Sequence, residues 1–338
     1  MAAREGLQAR SFEKAASAFA DAVGGPISAD SLARITEGFG QKVVDLRSEE
    51  VAAAGLVAQR GESPDAERLA EVAPIREQAN ISTDGAMMLV RDEGWKEVKL
   101  TVISAVEVRS ASERVGPERV GEARPSRRTG DPLVKLSDHS YQAGLWDAET
   151  LGQYQYAEGL RRGLGQVTKL SAVSDAALWI GRVTSLNYPA AVQIIDWGHA
   201  AQRLYGVGKA VFGEGTAKSK AWVDSRLDEL WTGKVGAVVE SLSTLDLARD
   251  SYPAEVQQAA GYFRNNQDRM HYDEYRALGY PIGSGSAESA ANTVVHDRLK
   301  RPGRGWTRPN SQAMLAALSE LQSDRFQDSW QTTLLTAA

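Results

Sequence analysis

Three acidic side chains could hold divalent cations for phosphodiester chemistry: Asp84, Asp175 and Glu288. The two aspartates each follow a run of β-forming residues, ANIST and KLSAVS, and the glutamate lies in the helix-forming run SGSAESAANTVV. Mg²⁺ prefers oxygen ligands and retains several waters. Two such ions can activate a water or a 3′-hydroxyl and stabilise the leaving oxygen. Carboxylates that leave two neighbouring strands, with a third on a helix packed against both, would meet at one site.

Each of these acids also has an ordinary structural interpretation. Asp84 precedes Gly85, and an Asp-Gly pair is typical of a turn. Asp175 could cap the helix that begins in AALWIGRV. Glu288, in a run rich in Ala and Ser, could be a solvated surface residue. Taken singly, none of the three positions predicts a metal site.

The composition excludes several other kinds of site. The chain has 338 residues, no Cys, and 39 Lys+Arg against 44 Asp+Glu, for a net charge of −5. Thiolate zinc sites, iron–sulfur clusters and cysteine nucleophiles are therefore excluded, and carboxylates and four His are left as metal ligands. No segment approaches the roughly 20 apolar residues needed to span a bilayer, and the N-terminus lacks the apolar core of a signal peptide. We expect a cytoplasmic protein.

Most of the net negative charge lies in residues 1–75, which carry eight Lys/Arg and twelve Asp/Glu. In this region SFEKAASAFADA predicts a helix, the Gly24–Gly25 pair a break, and Ser28 the cap of a second helix. The second helix has one apolar face, formed by Leu32, Ile35, Phe39, Val43 and Leu46. The pair resembles a helix-turn-helix, but it is also typical of a packing or oligomerisation hairpin. A linker is expected to follow.

The order of the next elements predicts an α/β core. Residues 76–196 read as three strands, a helix, and then strand, helix, strand, which is the order of a ribonuclease-H-like mixed-sheet core. Residues 197–277 are helical almost throughout and are interpreted as an all-helical insertion. Residues 278–338 would complete the core with a helix at about 286–300. The small helical region 1–75 precedes this core.

Four strings in the chain resemble a known family. They are TDG with GWKEVKLTVISAVE, then VSDAALWI, IIDWGHAAQRLYGVGKAVFGEGTAKSKAWVDSRL and YPIGSGSAESAANTVVHDRLKRPGRGW. They are similar to DDE transposases of bacterial insertion sequences, in the Kra-type group akin to Mutator-like transposases. The resemblance implies a ribonuclease-H-like core, two Mg²⁺ or Mn²⁺ ions, and Asp84, Asp175 and Glu288 as the catalytic acids. Relatives often carry a longer, cysteine-bearing N-terminal region and Gly-Asp-Gly at the second acid, where this chain has Ser174-Asp175-Ala176.

The resemblance also marks Asp196 and His199 as a DxxH signature. An Asp that ends a strand and a His one turn later can point to the same side, where the His could contact phosphate or orient a distorted strand. Alternatively, Asp196 caps the helix and His199 bonds to it locally. Asp196 is also the main rival of Asp175 as the second metal ligand, because both follow apolar strands.

The segment after Glu288 is a candidate DNA contact. Asn292 lies one helical turn beyond Glu288, and positions 298–308 contain five basic residues and no acid. The predicted phosphate contacts are Arg298, Lys300, Arg301 and Arg304, with Trp306 able to stack on a base. The alternative is a solvated helix end with Trp306 packed in the core. The Arg-rich loop 109–130 is a weaker candidate, because three Glu partly cancel its charge.

Together these features predict a DDE transposase that cuts and joins double-stranded DNA at element ends and target. The resemblance further implies a homodimer or larger assembly on DNA, a nucleoid-associated location, and no membrane or small-molecule cofactor. One rival is a catalytically idle or host-retained DNA-binding protein derived from a transposase, and another is a structure-selective nuclease of the same fold. A two-carboxylate glycosidase is a third, which would work without metal.

Overall fold

A computed structural model describes residues 1–60, 74–110, 131–300 and 305–335. Within these ranges, five strands form one mixed sheet in the order β3-β2-β1-β4-β5. The strands are β1 (Gln78–Val90), β2 (Gly94–Arg109), β3 (Leu133–Gly144), β4 (Lys169–Ser174) and β5 (Val192–Ile195). β1 pairs antiparallel with β2 and β2 with β3, whereas β1–β4 and β4–β5 are parallel. The predicted mixed α/β class is confirmed.

Helices cover both faces of the sheet. Their bounds are α1 (Ala2–Gln8), α2 (Phe12–Val23), α3 (Ala29–Arg60), α4 (Ala148–Arg161), α5 (Leu178–Asn187), α6 (Trp197–Phe212), α7 (Ala217–Trp231), α8 (Val235–Ser243), α9 (Ala254–Gln257), α10 (Ala259–Asn265), α11 (Tyr272–Ala277), α12 (Gly285–Ala290), α13 (Asp297–Leu299), α14 (Arg308–Gln322) and α15 (Phe326–Leu335). A π-helical segment, Ala291–His296, joins α12 to α13. Across the described ranges, no helix combines the length and apolar character needed to cross a membrane.

The two faces of β1 are set by side-chain alternation along the strand. Ala86, Met88 and Val90 pack with α12, the π segment and α14 in one apolar cluster. Ala79 and Ile81 belong to a separate cluster on the opposite face. Asp84 has the same parity as Ala86, so it lies on the face that α12 covers.

The N-terminal helices pack on the sheet domain through α3. Leu32, Phe39 and Val43 are buried as expected, whereas Ile35 is 39% exposed. Gly40 allows a close approach to α14, because a Cβ there would lie 2.2 Å from the carbonyl oxygen of Ala313. The second predicted helix is thus one 32-residue helix docked on the core. The expected linker lies largely in residues 61–73, outside the described residues.

Residues 197–277 form α6 to α11, the helical segment expected between β5 and the last core helix. Their apolar side chains build a cluster of their own, which includes Val207, Leu230 and Phe263. The cluster continues onto β4 and β5 through Val173, Ile194 and Ile195. The helical segment therefore packs against the parallel edge of the sheet.

A buried cluster of six charges ties α3 to the rest of the molecule. Arg47 on α3 contacts Glu320 on α14 at 2.5 Å and Glu50 at 2.6 Å. Its other members are Arg161, which pairs with Glu50, Arg325, which pairs with Glu320, and Glu158, which pairs with both of these arginines. Three Arg balance three Glu. Burial opposes the charge of Glu158, but Arg325 and Arg161 outweigh it and lower its pKa to about 2.

We predict that Glu320→Gln destabilises the protein strongly, because the substitution leaves Arg47 and Arg325 with an uncompensated buried charge. Breaking one partner of a buried ion pair costs about 3–5 kcal/mol. Urea denaturation at pH 7 measures the loss. The matched control is Asp246→Asn, which breaks an exposed pair with Arg249 and should cost less than about 1 kcal/mol. Equal losses in the two variants would show that the cluster does not hold α3 in place.

Candidate active site

The register of the three parallel strands places three aspartates in one row. Thr83 pairs with Ser174 across β1 and β4, and Ser174 pairs with Ile195 across β4 and β5. The residue after each of these is an aspartate: Asp84, Asp175 and Asp196. Neighbouring strands lie about 4.8 Å apart. Residues far apart in sequence are therefore side by side at the end of the parallel ladder.

Asp84 lies within β1 and not in a turn. The strand continues to Val90, and Asp84 is paired with Leu100 of β2. This corrects the expectation that the residue ends its strand, although it does mark the end of the parallel pairing with β4. Its Oδ1 accepts a hydrogen bond of 2.7 Å from the amide of Gly85. The half-buried carboxylate has a raised pKa, first because of burial and also because of the charge of Asp175.

Asp175 lies in the turn between β4 and α5. Its Oδ1 accepts a 2.9 Å hydrogen bond from the amide of Ala177, and Ala177, not Asp175, is the N-cap of α5. Among the described residues, no group donates a hydrogen bond to Oδ2 of Asp175 or of Asp84. Each of these neighbouring carboxylates therefore keeps one oxygen available for a ligand.

Asp196 is used differently, because both of its oxygens accept hydrogen bonds. Oδ1 accepts from the amide of His199 at 2.7 Å and lies 3.1 Å from Nδ1 of its ring. Oδ2 accepts from the amide of Ser284, immediately before α12. Burial opposes the charge of Asp196, but the bonds from His199 and Ser284 outweigh it and lower the pKa. Asp196 thus caps α6 and fixes the start of the Glu288 helix.

His199 is bonded to Asp196 and lines one cavity with Asp175. The hydrogen bond with Asp196 raises the pKa of His199, and the charges of Asp175 and Asp84 add to this effect. The ring is half-exposed, with 48% of the side chain accessible. His199 is therefore bonded locally to Asp196 and also lies within reach of the charges of the other two aspartates.

Glu288 lies on α12, which packs over the Asp84 face of the sheet. Ser286 lies 2.9 Å from Ser82 through their hydroxyls, and Ala287 is completely buried. The Glu288 side chain itself is exposed. Within the part of the chain that the structure describes, no three His, Asp or Glu side chains converge on one metal position. The third acid is near this face but does not complete a cluster.

The predicted DNA contacts fall into three groups. Asn292 is exposed, with Oδ1 3.1 Å from His296 Nδ1, and Lys300 is exposed, with Nζ 5.8 Å from the ring centre of Trp95. Arg298 is only 2% exposed, with Nε bonded to the carbonyl of Gly6. Arg301 and Arg304 lie outside the described residues.

Arg298 and Trp306 are placed in the core and not at a DNA surface. The Arg298 guanidinium lies 4.4 Å from the ring centre of Phe12 and 5.2 Å from that of Trp306. Trp306 is 8% exposed and bridges Val90 of β1. Both side chains therefore join the N-terminal helices to the sheet, which matches the structural alternative for Trp306.

Sequence reasoning missed a stripe of residues that continues from His199. Gln202, Arg203 and Gly206 follow it at the i+3, i+4 and i+7 positions of α6 and line one cavity with Asp175. The cavity measures about 450 Å³. The spacing in HAAQRLYG was a usable signal, because polar residues at helical intervals from a site residue share its face.

We predict that Asp84→Asn raises the free energy of unfolding at pH 7 in the presence of EDTA. The substitution removes a partly desolvated charge that Asp175 repels, so the folded state becomes more stable relative to the unfolded state. Asp196→Asn is the matched control, since it replaces one of the two oxygens that accept hydrogen bonds from the amides of His199 and Ser284 with an NH2 donor. We expect this variant to lose about 1–3 kcal/mol of stability. Chemical denaturation measures both variants. Destabilisation of the Asp84 variant to the level of the Asp196 variant would contradict the conclusion that the charge of Asp84 destabilises the folded state.

In comparisons with known proteins, no family model matches the chain, and no curated protein matches it. The functional conclusion therefore rests on the residues and their arrangement.

Proposed function

We propose that the chain is a metal-dependent DDE transposase, which cleaves DNA strands and transfers them. The observation that carries the proposal is the register of β1 and β4, which sets Asp84 beside Asp175 with one oxygen of each unused. The sheet order, with three antiparallel strands followed by two parallel ones, supports a ribonuclease-H-like core for this site.

The two aspartates fit a divalent cation. Mg²⁺ is commonly held by one or two carboxylates and several waters, and Mn²⁺ accepts the same oxygen ligands. Burial and mutual repulsion raise the pKa of Asp84, and a bound cation would offset that repulsion. Asp84 and Asp175 would hold the first ion, and Glu288, exposed on α12 over the same face of the sheet, is the candidate ligand for a second ion. Bound metal would supply positive charge to the phosphate oxygens and activate the attacking hydroxyl.

The chain's other residues would position the DNA. Asp196 orients His199 through Nδ1, which leaves Nε2 to meet a phosphate oxygen. Exposed Asn292 and Lys300 lie on the same C-terminal segment as Glu288. Arg301 and Arg304 complete its basic character, which supports double-stranded DNA as the partner. A dimer on paired element ends and a nucleoid-associated location in the cytoplasm belong to the same proposal.

One observation favours a second candidate function. Glu288 is exposed, and the described residues contain no three-acid metal cluster. A transposase-derived protein that binds DNA without cutting it would have the same appearance. Activity assays on the intact chain separate the two.

We predict that the protein, with Mg²⁺, nicks and joins labelled DNA made from the sequences that flank its gene. Asp84→Asn and Asp175→Asn should each lower the rate by about 10³-fold, since each removes several kcal/mol of metal-dependent stabilisation. Asp196→Asn should lower it by about 10- to 100-fold, because Asp196 acts through its neighbours. Asp246→Asn, at an exposed pair in the helical segment, should leave it unchanged.

Gel analysis of cleaved and joined products measures these rates. Tight DNA binding with no product would favour the non-catalytic candidate. Cleavage of branched DNA without need for an element end, and without joined product, would indicate a structure-selective nuclease. Undiminished activity in EDTA would overturn the metal-dependent mechanism.

A further inference from the structure

The cavity beside Asp175 is built from the helical segment on one side and the catalytic edge of the sheet on the other. His199, Gln202, Arg203 and Gly206 of α6 form one wall. Val256 of α9 and Tyr262 of α10 also line it. Its volume of about 450 Å³ falls within the range of about 300–1,000 Å³ that is typical of small-molecule sites.

Arg203 is held in place in the cavity wall, and its positive charge is not neutralised there. Its guanidinium lies 4.3 Å from the ring centre of Tyr262, and Nη1 donates a 3.1 Å hydrogen bond to the backbone carbonyl of Glu255. No carboxylate of the described residues forms an ion pair with it. A guanidinium held by an aromatic ring and a carbonyl keeps other N–H groups for an anion, and phosphate matches their fork geometry.

Tyr262 and Gln202 supply neutral polar groups to the same cavity. The Tyr262 hydroxyl is shielded from water and has no hydrogen-bond partner among the described residues. An unpaired buried hydroxyl is unfavourable, and a ligand that offered an acceptor would satisfy it. Gln202 is exposed at the mouth, and its amide can both donate and accept a hydrogen bond.

We propose that this cavity binds one unpaired nucleotide next to the scissile phosphate, with Arg203 on its phosphate and Gln202 and Tyr262 on its base. The inference rests on the proposed function and extends it to a substrate position. A paired base cannot enter a pocket, whereas a nucleotide taken out of the stack presents its edge and its phosphate together. The nucleotide is placed next to the scissile phosphate because Asp175 both lines the cavity and belongs to the aspartate row.

The first test measures the binding of thymidine 5′-monophosphate to the full chain by isothermal titration calorimetry. Saturable binding should weaken about tenfold or more in Arg203→Ala, since a charge-assisted hydrogen bond contributes about 1.5–3 kcal/mol. Tyr262→Phe, which removes only the hydroxyl, should weaken it less. Arg182→Ala, an exposed position on α5 outside the cavity, should leave it unchanged. Absence of binding, or equal binding by Arg203→Ala and wild type, would overturn the proposal.

The second test compares DNA cleavage on two substrates, one with a normal nucleotide beside the cut and one abasic there. Gln202→Ala should lower the rate about tenfold on the normal substrate and leave the abasic rate unchanged, whereas Arg203→Ala should lower both. Equal effects of Gln202→Ala on the two substrates would overturn the base contact. Nucleotide binding without cleavage by wild type would sink the proposed function and leave the cavity's role intact. Cleavage that is unchanged in Arg203→Ala and Gln202→Ala would overturn the cavity's role and leave the proposed function intact.

Discussion

The parallel pairing of β4 with β1 and β5 is the constraint on which the site depends. A shift of one residue in either ladder would turn an aspartate to the opposite face of the sheet, because side chains alternate along a strand. The observed register aligns Thr83, Ser174 and Ile195, so Asp84, Asp175 and Asp196 follow as a row. The apolar clusters on both faces hold this register, because Ala86 and Ile81 must each face their own cluster.

The row divides into two chemical roles through its hydrogen bonds. Asp196 gives both oxygens to the chain itself, and through them connects α6, His199 and the start of α12. Asp84 and Asp175 repel each other and keep one oxygen apiece, an arrangement that costs stability and is typical of groups kept for a ligand. By contrast, the six-charge cluster around Arg47 and Glu320 balances its own charges.

The local sequence pattern predicted the helices and strands better than it predicted the side-chain contacts between them. The strands around Asp84 and Asp175 and the helices over 197–277 follow from alternation and helical spacing, which act within a few residues. The continuation of β1 past Gly85 depends on pairing with β2, and the burial of Arg298 depends on Phe12 and Trp306, which approach only in the folded chain. The charge cluster joins residues as distant as Arg47 and Glu320. No local signal marks such a partner, whereas the stripe from His199 to Gly206 was present in the spacing.

We propose that Asp84 and Asp175 share one divalent cation. Anomalous diffraction from a crystal grown with Mn²⁺ tests it most directly, because the ion's position is located independently of activity. We expect a peak within about 2.0–2.6 Å of a carboxylate oxygen of both Asp84 and Asp175, with Asp196 still bonded to His199 and Ser284. A peak bound by Asp196 in place of Asp175, or no peak at this edge of the sheet, would contradict it.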